Sequence, residues 1–270
     1  MKLDRIYQGS CFDLMPRIKS DSVDLILSDP PYLKSLSDLS PALNGQLIDW
    51  EELSNQFNRI LKSNGQLVMF ADLLTATVMI NAFIDNFRYR YHWVWQKPNG
   101  NPVNKKQPLS EIELILVWCK KNAKTKDLTF NYEEIMNDGA PYTRKTNHQS
   151  KTKKTHGQYL TTNSSGRRYP KQIIKFPSKC NLTKDERKIA KPFPCYKPVA
   201  LCSYLVKALS NPGDIVVDPF SGSGSIAIAC HRLNRRFIAI EKDPDYCQKS
   251  VDRLEAEQEQ LIQYKKKGII

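Results

Sequence analysis

Short apolar runs alternate along the chain with segments whose apolar positions recur at helical spacing. Residues 23–28 (Val-Asp-Leu-Ile-Leu-Ser) form a buried strand pattern that ends at Asp29-Pro30-Pro31. A helical period follows over 50–62, stopped by Asn64-Gly65, then a strand over 66–71 and a helix over 73–86. Strands are predicted at 91–96 and 112–119, on either side of a loop rich in Pro, Asn and Lys. After Pro198 the alternation resumes: helix 199–210, strand 215–217, a glycine turn and helix within 220–233, strand 237–240, and a polar helix over 244–264. This order predicts an α/β fold with a mainly parallel sheet and crossover helices.

The pattern fails between these halves. From Gly139 to Lys184 there are eleven basic residues and no acidic one, among many Thr, Ser, Asn and Gln. Such a stretch builds no large core of its own. Two readings stand, a disordered basic linker or a segment that orders on a nucleic acid. Tyr142, Tyr159 and Tyr169, interleaved with the charges, favour the second. Lys97 and Asn99, after Trp93 and Trp95, suit a groove lining and a surface loop equally well.

Composition adds direction. The 270 residues carry 41 basic and 28 acidic side chains, a net charge of +13, which favours a polyanionic partner. Seven scattered cysteines without a CxxC pair speak for reduced thiols and against zinc. No signal-like or membrane-spanning run is found, so a cytoplasmic protein with no membrane partner is expected.

Two motifs carry chemistry. In Asp218-Pro219-Phe220-Ser221-Gly222-Ser223-Gly224 the glycines, between a strand and a helix, let the backbone approach a ligand. Glu241 ends the next strand, where a carboxylate can accept both hydroxyls of a ribose. The arrangement points to an adenosine-containing cofactor. The absence of Lys after Gly224 excludes a phosphate-binding loop of the GxxxxGK type. Ala227 in the third glycine position is tolerated in a dinucleotide site, so that reading stays open at this motif.

The second motif, Asp29-Pro30-Pro31-Tyr32, falls at the end of a strand, where open α/β sheets bind ligands. An exocyclic amine on a base is a poor nucleophile because its lone pair is delocalised into the ring. Two acceptors aimed at its N–H bonds, the Asp29 carboxylate and the Pro30 carbonyl, would free that lone pair to attack a sulfonium methyl. Tyr32 offers a ring on which an extruded base can stack.

The two motifs in this order resemble the β group of amino-methyltransferases that act on DNA. In that group the catalytic motif precedes a target-recognition segment and then the cofactor glycines. The resemblance implies a seven-stranded, Rossmann-like, S-adenosylmethionine-dependent methyltransferase sheet in permuted order. It also implies three parts: a catalytic half over 1–121, a basic target-recognition insertion over 122–191, and a cofactor half over 192–270. Lys197-Pro198 resembles the family's Lys-Pro element beside the cofactor. Gly9-Ser10-Cys11-Phe12-Asp13 resembles its N-terminal element near the cofactor's adenine. Ser10 stands where the family usually has Asp, which passes the adenine contact to Asp13 or a main-chain carbonyl. Arg168-Tyr169-Pro170 and Lys105-Lys106-Gln107-Pro108 also resemble segments of bacterial and phage members.

The expected catalytic set is therefore Asp29, Pro30, Pro31 and Tyr32. The expected cofactor set is Cys11, Asp13, Asp29, Lys197, Asp218, Phe220, Ser221, Gly222, Ser223, Gly224 and Glu241. Lys153, Lys154, Arg167 and Arg168 are the expected phosphate contacts on double-stranded DNA. The expected reaction is methylation of adenine N6 on a flipped-out base. The alternatives are cytosine N4, disfavoured because that group more often begins its motif with Ser, and a non-catalytic DNA-binding subunit. Ring-carbon methylation needs a cysteine nucleophile, and Pro194-Cys195 is expected to lie outside the pocket. The resemblance allows a homodimer and a cognate restriction nuclease.

Overall fold

The structure, a computed structural model, describes residues 1–33, 48–101, 105, 106, 108–149 and 156–266. They divide into two compact units, one of residues 1–130 and 172–270, the other of residues 131–171.

The first unit is built on one eight-stranded sheet. Its strands are β1 (Arg5–Gln8), β2 (Val23–Ser28), β3 (Leu61–Ala71), β4 (Phe87–Asn101), β5 (Ser110–Lys120), β8 (Ile173–Lys175), β9 (Ile215–Asp218) and β10 (Arg236–Glu241), in the spatial order β1-β10-β9-β2-β3-β5-β4-β8. All neighbours are parallel except the two pairs that β5 makes, with β3 and with β4. The sheet has one strand more than the seven expected. The extra one is β8, three residues held at the edge by pairing with Val94 to Gln96 of β4. Residues 122–130 and 172–191, placed by the sequence in the insertion, fall in this unit.

The helices are α1 (Cys11–Leu14), α2 (Trp50–Ile60), α3 (Leu73–Phe83), α4 (Lys184–Ala190), α5 (Val199–Leu209), α6 (Ser225–Arg232) and α7 (Pro244–Lys266). Caps fix where several begin. Asp49 accepts from the Glu52 amide at 2.9 Å, and Asp72 from the Thr75 amide at 2.8 Å, each satisfying a first-turn N–H that lacks a helical partner. Helix α2 stops at Ile60, two residues before the sequence pattern suggests, because Leu61 already pairs with Val23 of β2. Phe83 anchors α3 in the core, with ring contacts to Trp50, Phe57, Phe87 and Trp118. Among the described residues no helix is long and apolar enough to cross a membrane.

Strand order places the site. β2 and β9 are parallel neighbours, with Ile26 opposite Val217. From β2 the chain runs to β3 on one side, and from β9 to β10 on the other. Connections that diverge in this way leave a crevice beyond the carboxyl ends of the two strands. The two sequence motifs begin at those ends, 189 positions apart in the chain at Asp29 and Asp218 but on neighbouring strands.

The second unit contains an antiparallel pair, β6 (Tyr142–Gln149) with β7 (His156–Asn163), registered from Tyr142 opposite Asn163 to Gln149 opposite His156. A bridge between Asn137 and Arg168 closes its base. Gly166 lies at φ 73°, and a Cβ there would come within 1.9 Å of the Gly139 carbonyl oxygen, so only glycine fits. Of the basic stretch, residues up to 171 belong to this unit with its hairpin, and residues 172–184 return to the first.

Candidate active site

A cavity of about 800 Å³ opens in the crevice. Its lining draws on the N-terminal element (Gly9, Ser10, Cys11, Phe12), all four residues of the Asp29 motif, and Pro194, Cys195 and Lys197. Phe220, Ser221, Gly222, Ser223 and Glu241 also line it, with Asp218. Most of the expected catalytic and cofactor residues therefore share one space. Two do not line it. Asp13 is exposed, because α1 turns Cys11 and Leu14 inward and Asp13 outward. Gly224, at φ 72°, caps α6, and a Cβ there would press on Ser250 at 3.2 Å; its part is the turn and the packing of α7. Conversely Cys195, expected outside the pocket, lines it.

The glycine turn is fastened from several sides. Ser28 Oγ donates to Asp218 Oδ1 at 2.5 Å, and the Phe220 amide donates to the same oxygen at 3.2 Å. Glu241 Oε2 accepts from the Gly222 amide at 2.7 Å, and Oε1 from the Asp243 amide at 2.8 Å, leaving each oxygen further acceptor capacity. Arg253 of α7, which sequence reasoning missed, donates to the Ser223 carbonyl at 2.8 Å, to Ser225 Oγ at 3.1 Å and to the Tyr196 hydroxyl at 2.9 Å. Two buried atoms of the turn, Asp218 Oδ2 and Ser221 Oγ, have no hydrogen-bond partner among the described residues. Orphaned buried acceptors are costly and rare in a finished fold. Beside a cavity they suit a ligand that brings donors or positive charge. Burial pushes the Asp218 carboxyl up to about 7, opposed by Ser28 and the Phe220 amide.

Asp29 sits in a buried charge cluster. Lys197 Nζ lies 2.5 Å from Asp29 Oδ2 and 2.9 Å from Glu113 Oε1. Lys97 Nζ lies 2.9 Å from Glu113 Oε2. The Tyr32 hydroxyl is 2.9 Å from Asp29 Oδ1 and 2.6 Å from Glu113 Oε1. Two cations thus balance two carboxylates. Burial drives the Asp29 carboxyl above its ordinary range, with Lys197 acting against it. Burial also works to raise Glu113, but Lys197 and then Lys97 outweigh it and hold that carboxyl low. Burial alone would lower Lys197; Asp29 and Glu113 reverse this and keep the ammonium charged. Tyr32 is raised well above the usual phenol value by burial and by both carboxylates, so it remains a hydrogen-bond donor.

Glu113 carried one signal in the sequence, an acid inside the apolar run of β5. Lys97, which the sequence left between groove and surface, is its partner. Of the expected DNA contacts, Arg167 donates to the Glu133 carbonyl, and Arg168 donates to the Ala140 carbonyl at 2.9 Å with its guanidinium 4.8 Å from the Tyr142 ring centre. Among the described residues neither arginine pairs with a carboxylate. Lys153 and Lys154 lie outside the described residues.

A doubly wound sheet, a glycine turn at one strand end and an Asp-Pro-Pro-Tyr motif at its neighbour define an α/β protein of the methyltransferase class. The chain belongs to the DNA methylase family of N6 and N4 type, whose model matches residues 23–252. It is similar to the type II methyltransferase M2.DpnII of Streptococcus pneumoniae, 28% identical over 94% of this chain and 90% of that protein. The type II methyltransferase M2.MboI of Moraxella bovis is 25% identical over 92% of this chain and 86% of its own length. Among solved structures, the M1.HpyAVI–SAM complex superposes with a TM-score of 0.59 at 24% identity, covering 92% of this chain and 98% of that one. The cytosine-N4-specific PvuII DNA methyltransferase gives 0.66 at 16% identity, covering 94% and 89%. The chain is a DNA methyltransferase.

Proposed function

We propose that this chain transfers a methyl group from S-adenosylmethionine to the N6 amino group of an adenine flipped out of double-stranded DNA. The observation that carries the reading is the opening of Asp29 and of the glycine turn with its orphaned acceptors onto one cavity. A space of about 800 Å³ is of the size that small-molecule sites occupy. S-adenosylmethionine supplies an electrophilic methyl on a cationic sulfur. Asp218, Ser221 and the Gly222 turn would hold the cofactor, Glu241 would accept from its ribose hydroxyls, and Cys11 would serve the adenine end. The shared position of Lys197 ties this part of the cavity to Asp29.

On the reacting side, Asp29 and the Pro30 carbonyl accept from the two N–H bonds of the target amine and return its lone pair to nitrogen. Tyr32 and Pro31 flank the base. Extrusion of a base costs a few kcal/mol, which phosphate contacts from the basic unit offset. The displacement is direct. The thiol of Cys195, an exposed residue that lines the cavity, is raised by partial desolvation and then by Asp29, which works against the thiolate that ring-carbon chemistry needs. The retained Asp29 and glycines also argue against a non-catalytic subunit.

Cytosine N4 is the second reading, favoured by the likeness to the PvuII enzyme in fold; Asp rather than Ser at position 29 favours adenine. The type II relatives support a place in a restriction-modification system, with a cognate nuclease and a homodimer as proposed partners. The test is transfer of labelled methyl to mixed-sequence duplex DNA, followed by nucleoside analysis, with Asp29→Ala in parallel. N6-methyladenine is expected from the wild type, and at least a hundredfold less from the variant, roughly the loss of one aligned transition-state acceptor. N4-methylcytosine would change the base and keep the mechanism; an active variant would remove Asp29 from it.

A further inference from the structure

Glu113 does not line the cavity and is only 7% exposed, yet the groups around Asp29 converge on it. The Tyr32 hydroxyl and the Lys197 ammonium are each divided between Asp29 and Glu113. A hydroxyl has one hydrogen and donates to one carboxylate at a time. Of its two distances, 2.6 Å to Glu113 and 2.9 Å to Asp29, the shorter is to Glu113. Lys97, with its own contact to Oε2, keeps Glu113 supplied with positive charge from the far side.

This division matters for the reaction. Asp29 can accept from a target amine only where neither Tyr32 nor Lys197 has claimed its lone pairs. A second carboxylate that takes the Tyr32 hydroxyl leaves Asp29 Oδ1 open without stranding a buried donor, while Lys197 stays on Asp29 Oδ2 at 2.5 Å and is shared with Glu113 at 2.9 Å. We propose that Glu113 is a positioning residue that holds the Tyr32 hydroxyl and shares Lys197, so that Asp29 is free to accept from the substrate amine. The inference rests on the reading of Asp29 as that acceptor.

In Glu113→Gln a neutral amide replaces the charged acceptor, and charge-assisted hydrogen bonds are the stronger kind. Tyr32 and Lys197 then fall back on Asp29. The experiment compares Glu113→Gln, Tyr32→Phe and the double variant, measuring kcat, KM for DNA and cofactor affinity by calorimetry, with Asp29→Ala as reference. Expected for Glu113→Gln is a kcat lower by about tenfold or more, with KM and cofactor affinity within about twofold. The double variant, which lacks the hydroxyl that blocks Asp29, is expected to be faster than Glu113→Gln alone. A scaffold role predicts the opposite, losses that multiply. Multiplying losses, or a fall in cofactor affinity that tracks kcat, would overturn the inference. If Glu113→Gln does not fold, Glu113→Asp, which keeps the charge and withdraws it by one methylene, gives the same comparison in the same two backgrounds. An Asp29→Ala protein with wild-type rate sinks the Asp29 reading and this inference together. An inactive Asp29→Ala beside multiplying losses sinks the inference alone.

Discussion

Asp218 is a buried carboxylate that the fold satisfies on one oxygen only. Among the described residues its two donors, Ser28 and the Phe220 amide, both address Oδ1, and Oδ2 has none. Its carboxyl titrates at about 7 when folded, against about 3.9 in an unfolded chain. Between those values the folded state binds the proton more tightly. The stability Asp218 contributes is therefore full below about pH 4 and is lost as pH rises through about 7. Asp218→Asn can keep both bonds at the oxygen and carries no charge. Cofactor-free Asp218→Asn is expected to melt above the wild type at pH 8, with the gap closing towards pH 4; a gap independent of pH would exclude this origin. Residues of this kind were legible because their chemistry is local in sequence. Asp29 and Asp218 each close a strand and open a recognisable motif. Glu113 and Lys97 were not, because β5 and β4 bring them to Asp29 only once the sheet is assembled.

At the scale of elements, α7 does more than cover the sheet. Arg253 reaches from it to the glycine turn and to Tyr196, the neighbour of Lys197, and so ties two segments beside the cavity with one guanidinium. Arg253→Met retains much of the side-chain volume and loses three hydrogen bonds. It is expected to weaken cofactor binding by about tenfold, the cost of about 1.4 kcal/mol in holding the turn, measured by calorimetry against a wild-type control. Unchanged affinity would show that the turn keeps its shape without α7. Elements with an apolar face were readable from period alone: β2, α2, α5 and β10 lie within a few residues of where the pattern put them. β6 and β7 were not, since polar residues such as Thr, Asn and Gln run through both strands, with Arg144 and Lys145 in β6, and give no alternation to read. β8 is three residues long, too short for any period, and owes its state to Val94, Trp95 and Gln96 across the ladder.

For the molecule as a whole, the excess of thirteen positive charges is a statement about encounter with DNA rather than about its sequence. Arg167 and Arg168 lie in a unit with no large core, and no carboxylate among the described residues neutralises them. Replacing either with Gln is expected to lower affinity for every duplex alike and to flatten the dependence of log affinity on log salt by about one. Equal slopes for variant and wild type would take both arginines out of the phosphate contacts.

The path of the chain around that unit has a further consequence. Phe130, the last residue before it, packs its ring against Trp93, and Gln172, the first after it, accepts from the Val94 amide at 2.9 Å. Departure and return are thus pinned to consecutive residues of β4. Closing an excursion whose ends already meet costs little more for a long segment than for a short one. The forty-odd residues in between could therefore change in length at little cost to the sheet that carries Asp29 and Asp218.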